Sequence, residues 1–147
     1  MDLLQSKKIS DKIVTELQSI ISSSKQVKQI PVKIDNKIRI ADYLIEPYDG
    51  GYWIIDVKKD RCVKETWTKV AALAWVYSSI NNRKEFMLTI KELDKEAEKN
   101  DMDSRFYKYT IEQTKDIVFK EATQYRLEIA TAQSNAAKLR LQSIILQ

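Results

Sequence analysis

The two glycines of this 147-residue chain stand side by side, Gly50 and Gly51, and neither glycine nor proline interrupts residues 104–145. Glycine is the residue that turns the backbone at least steric cost, and the absence of breakers leaves a helix free to run. The chain thus divides into a turn-rich part that reads as sheet and an uninterrupted part that reads as helix. Residues 39–65 are the centre of the first part. They hold Asp42, the turn Asp49-Gly50-Gly51, and the run Tyr52-Trp53-Ile54-Ile55-Asp56-Val57-Lys58.

Alternation of apolar and polar residues supplies the strands. Residues 30–34, a two-residue turn at Asp35-Asn36 and residues 37–46 read as a hairpin, with Pro31 keeping the first strand at an edge or at its start. Pro47 and Asp49-Gly50-Gly51 make the next turn. Residues 52–58 form a third strand, and Lys59-Asp60-Arg61 leads into a short fourth, 62–65. The result is a three- to four-stranded antiparallel meander with one face to cover. Ahead of it, Ile9, Ile13, Leu17, Ile20 and Ile21 fall at helical spacing and predict an N-terminal helix, with Glu16 beside the stripe. Behind it, residues 69–80 predict a helix apolar almost all round, capped by Thr68 and stopped by Asn81-Asn82. That helix is the expected cover of the sheet. Residues 86–90 fit either a strand or the start of a helix running to Asn100.

Asp103 can cap a single helix over 104–145, roughly 60 Å long at about 1.5 Å per residue. Within it Val118, Ala122, Tyr125, Ile129, Ala132, Ala136, Leu139 and Ser143 alternate at spacings of four and three. This is the pattern of a coiled-coil seam with small residues at its middle. Leu127, Ala130, Ala137, Leu141 and Ile144 mark a second stripe. So long a helix outruns one face of a small domain, and its expected partner is a second copy, another protein, or a hairpin made with residues 84–99. The expected fold class is therefore α+β in two parts: a small α+β domain over 1–100, and a long C-terminal helix over 101–147 for packing or oligomerisation.

Composition narrows the chemistry. There is no histidine, so Ser-His-Asp and Cys-His nucleophile systems and His metal ligation are excluded. Two adjacent glycines make neither a P-loop nor a Gly-x-Gly-x-x-Gly cradle. The single cysteine, Cys62, excludes an internal disulfide. No run of about 18 apolar residues offers a membrane span, and the N-terminus lacks the apolar core of a secretory signal. Residues 1–90 carry 15 Lys+Arg against 11 Asp+Glu, whereas residues 91–147 carry 10 against 10. The excess lies in Lys25, Lys28, Lys33, Lys37 and Arg39. Such a segment can touch phosphate, with Tyr43 or Trp53 as stacking partners; it also suits an edge strand kept lysine-rich against aggregation.

A helix bearing an acid, three antiparallel strands and a helix resemble, over about residues 10–90, the core of the PD-(D/E)xK nuclease superfamily. The resemblance implies that Asp42 and Asp56 hold Mg²⁺, that Lys58 stabilises charge or helps activate water, and that Glu16 is the extra helical acid. Ala41 departs from it, standing where the family usually has proline. Strand parity tests the idea. A two-residue loop at Asp49-Gly50 or Gly50-Gly51 sets Asp42 opposite Val57 or Lys59, pointing away from Asp56 and Lys58. A three-residue loop sets it opposite Lys58.

Two further segments resemble uncharacterised small proteins of large tailed phages of marine bacteria. One is Ala41-Asp-Tyr-Leu-Ile-Glu46 with Gly51-Tyr-Trp-Ile-Ile-Asp56 and Glu65-Thr-Trp-Thr-Lys-Val-Ala-Ala-Leu-Ala-Trp75. The other is Asn100-Asp-Met-Asp-Ser-Arg-Phe-Tyr-Lys-Tyr-Thr-Ile111 before the Ala-rich helix. The resulting expectation is a non-enzymatic structural or interaction protein, located in an infected cell's cytoplasm or a virion and not secreted. It self-associates or docks on a larger assembly through the seam and needs no cofactor. The alternative is a Mg²⁺-dependent nuclease; nucleic-acid contact through 25–39 comes third, and no membrane partner is expected.

Overall fold

The computed structural model describes residues 31–147. The helix expected over 9–21, with Glu16, Lys25 and Lys28, lies outside the described residues. From Val32 the chain forms a five-stranded antiparallel meander: β1 (Val32–Ile34), β2 (Lys37–Ile40), β3 (Tyr43–Tyr48), β4 (Gly51–Asp56) and β5 (Arg61–Thr66), paired in chain order.

The extra strand arises where one continuous strand over 37–46 was expected. Ala41 adopts a left-handed backbone, φ 51°, and the chain reverses at Ala41-Asp42 so that Ile40 pairs with Tyr43. An alanine rarely takes that conformation, which carries a steric cost. Arg39 holds the turn by donating from Nε to the Ala41 carbonyl at 2.6 Å. The next turn is the two-residue Asp49-Gly50, because Tyr48 pairs directly with Gly51. Gly51 has φ +142°, and a Cβ there would collide with the Thr66 carbonyl oxygen. Only glycine allows β5 to approach so closely.

Ile38, Ile45 and Ile54 are cross-strand neighbours and lie abreast on one face of the sheet, almost wholly buried with Ile40. That face is covered by α1 (Lys69–Ile80). Thr68 caps α1 as expected, its Oγ1 accepting from the Ala71 amide at 3.1 Å, and Asn81-Asn82 ends it. Val70, Leu73, Val76 and the alanines between them are all buried because α1 is covered on both sides, by the sheet and by a helical hairpin.

The hairpin replaces the single long helix. A 3₁₀ turn (Lys84–Phe86) leads into α2 (Met87–Gln113), which settles residues 86–90 as non-strand. The chain reverses through Thr114-Lys115-Asp116 into α3 (Ile117–Ile145). Thr114 is extended, and Asp116 starts α3 by accepting from the Phe119 amide at 3.0 Å. Each helix is about 40 Å long. No glycine or proline marks this break; an extended Thr and an Asp cap accommodate a reversal that packs α2 against α3. The division expected at residue 100 falls inside α2, where Asn100 and Asp101 are buried.

Candidate functional site

At the turn end of the sheet, Asp42 stands opposite Val57, whose amide donates to the Asp42 carbonyl at 2.8 Å. That is the two-residue-loop outcome. Asp56 lies opposite Tyr43 on the α1 side of the sheet and is only 8% exposed. Its Oδ1 accepts from the Lys59 amide at 3.1 Å, closing the turn into β5. Parity nevertheless misjudged Lys58. Both Lys58 and Asp42 belong to turns, where strand alternation no longer governs direction, and they form an ion pair at 3.3 Å. The pair is exposed, so it contributes on the order of 0.2–1 kcal/mol. A divalent-cation site asks for several converging oxygen ligands. Here the two carboxylates serve different partners, and among the described residues no group of three or more Asp, Glu or Cys is placed to hold a metal.

The basic segment is partly engaged within the fold. Lys37 pairs with Glu46 at 3.3 Å, Arg39 holds its own turn, and Lys33 is exposed. Tyr43 packs edge-on against Trp75 under the sheet, at 5.7 Å between centroids. Trp53 is stacked on Tyr48 at 4.7 Å and donates to Glu65.

The seam residues of α3 point the other way from the hairpin's interior. Val118, Tyr125, Ile129 and Leu139 are 77, 66, 40 and 54% exposed, and Ala122, Ala132 and Ala136 are exposed between them. Leu127, Ala130, Ala137, Leu141 and Ile144 are the buried set, packed towards α1 and α2. α3 therefore carries one apolar stripe inside the fold and another on its surface. On α2, Met102, Phe106 and Tyr109 also recur at helical spacing and are all exposed.

A buried polar network, which the periodicity arguments missed, fastens the hairpin to the sheet. Trp67 follows β5. Its backbone amide donates to Asp94 at 2.7 Å and its indole Nε1 to Asp101 at 2.8 Å, both acids of α2. Asp94 also accepts from the Thr68 amide and hydroxyl, so it serves the N-terminus of α1. Asp101 accepts from Ser134 at 2.5 Å and pairs with Lys138 at 3.4 Å, both on α3. The Arg105 guanidinium lies 5.2 Å above the Trp67 ring. A signal existed: Asp94 and Asp101 are seven apart, on the same stripe as Ile90 and Ala97.

Asp94 also walls an open cleft of about 290 Å³ between Trp67, Tyr48 and α2. Lys64, Lys91 and Lys95 line it with Glu65 and Glu98, a rim of mixed sign. Both Asp94 oxygens already accept hydrogen bonds, so the cleft presents no unengaged base there. Burial pushes the Asp94 carboxyl above its ordinary value, against the opposing pull of its donors. Folding then binds this proton more tightly than the unfolded chain does. Its stabilising contribution is fully present below the unfolded carboxylate pKa and is lost as pH rises through the folded value. The Asp94 carboxyl ¹³C resonance is expected to titrate above the ordinary aspartate value, and an ordinary or lower midpoint would contradict the assignment.

No helix among the described residues is long and apolar enough to cross a membrane. Comparison of the chain with protein-family models, curated proteins and solved structures returns no match.

Proposed function

We propose that this chain is a non-enzymatic interaction protein of the kind its phage resemblance implies, and that it self-associates through the outward face of α3. One observation carries this reading: the heptad-spaced seam stays exposed after α3 has already buried a different stripe against its own fold. A helix apolar on two faces has a use for the second. Burial of such a face contributes about 25 cal/mol per Å² removed from water, offset by the cost of association. The balanced charge of residues 91–147 adds no net repulsion between copies.

Ile129 is the seam's central large residue, and its substitution by Asp leaves the buried stripe intact. Light scattering is expected to show the wild-type chain as a dimer or larger and Ile129→Asp as a monomer with an unchanged circular dichroism spectrum. At dilution, where the wild-type chain is monomeric too, the effect on folding stability should stay within about 0.5 kcal/mol, as for other surface changes. A wild-type chain that remains monomeric at high concentration would remove the reading.

A further inference from the structure

We infer that the occupant of this face is the α3 helix of a second copy, lying parallel to the first and in register. The inference rests on the self-association reading and adds the orientation and the residues that set it. When the seam is written as heptads, Ala122, Ile129 and Ala136 take position a, and Val118, Tyr125, Ala132 and Leu139 take position d. The buried residues of α3 then occupy b, c and f, for example Leu127, Ala130 and Leu141. Positions that normally face solvent in a coiled coil are the ones turned into this fold. Those that normally face a partner helix are turned out.

The flanks carry the directional information. Position g holds Glu121 and Glu128, position e holds Arg126 and Arg140, and all four are exposed. In a parallel, in-register pair, g of one helix meets e of the next heptad on the other. Glu121 then faces Arg126 of the second copy, and the two-fold axis repeats the contact. In an antiparallel pair, g faces g and e faces e. Acids occur only in g and arginines only in e, so no antiparallel register forms an opposite-charge pair. Several registers oppose Glu to Glu or Arg to Arg. The small residues at 122, 132 and 136 let the helix axes approach closely, at the short end of the usual 8–10 Å. Both α3 helices carry their own bodies on the b, c and f side, so the two bodies lie outside the pair.

The test places single cysteines in a Cys62→Ser background, one at Ala122→Cys and one at Ala136→Cys, both exposed positions. Under mild oxidation each variant is expected to form a disulfide-linked dimer with itself. These positions are 14 residues apart, about 21 Å along a helix, so no antiparallel register brings both to their own counterparts. Self-linking at only one of them, or at neither, in a chain that still scatters as a dimer overturns the orientation and leaves self-association standing. A monomer overturns both. As a second arm, Glu121→Arg is expected to weaken dimerisation on the order of tenfold, and adding Arg126→Glu is expected to restore it. Failure of that rescue overturns the proposed pairing.

Discussion

Replacing Asp101 with alanine is expected to destabilise the protein by about 3–5 kcal/mol, the range for removing one partner of a buried ion pair. The magnitude reflects the groups that the carboxylate holds. Lys138 is almost fully enclosed with it, and once the acid is gone its ammonium keeps its desolvation penalty but loses the attraction of the Asp101 charge. The Trp67 indole and the Ser134 hydroxyl lose their acceptor in the same step. All three lie where the sheet, α2 and α3 meet, so the loss is felt by the whole hairpin. Converting the pair jointly to Asp101→Leu and Lys138→Met should recover the part of the loss that comes from the uncompensated ammonium, while the Trp67 and Ser134 donors still lack their acceptor. Urea unfolding measures both. A loss below about 1 kcal/mol for Asp101→Ala would show that the network is incidental.

The second expected result compares two neighbouring leucines. Leu141 is fully buried and belongs to the core shared with α1, and Leu141→Ala should cost about 2–5 kcal/mol as transfer energy plus cavity. Leu139, two residues away and 54% exposed, should change stability by only about 0.5 kcal/mol on the same truncation. Its effect belongs instead to association. Equal costs at the two positions, in dilute conditions where the chain is monomeric, would mean that the faces of α3 have been assigned wrongly.

These contrasts mark where local sequence stops being informative. Thr68, Asn81-Asn82 and the alternation in 52–58 act over a few residues. Their consequences, a capped helix and a paired strand, needed no knowledge of the rest of the chain. The reversal at Ala41-Asp42 was different, because alanine carries no turn signature and the strain is held by neighbouring strands and by Arg39. The break at Thr114–Asp116 was hidden for a related reason. Helix propensity alone continues through it, and the reversal is favoured by the packing it permits between α2 and α3. Asp42 and Lys58 show the limit of parity, which holds along a strand and lapses in the turns where both residues sit.

The sequence by itself determined the α+β class, the antiparallel meander, the apolar helix that covers it, and two apolar stripes on the last helix. Those are periodic properties, and a period of two or of 3.6 is written in the order of residues. Only the tertiary structure decided which stripe is core and which is surface. Both stripes are apolar enough to be buried, and the choice depends on where Asp94 and Asp101 anchor Trp67 and on which side α1 presents its alanines. The seam that reads most clearly as an interior is for that reason left on the outside of the described fold.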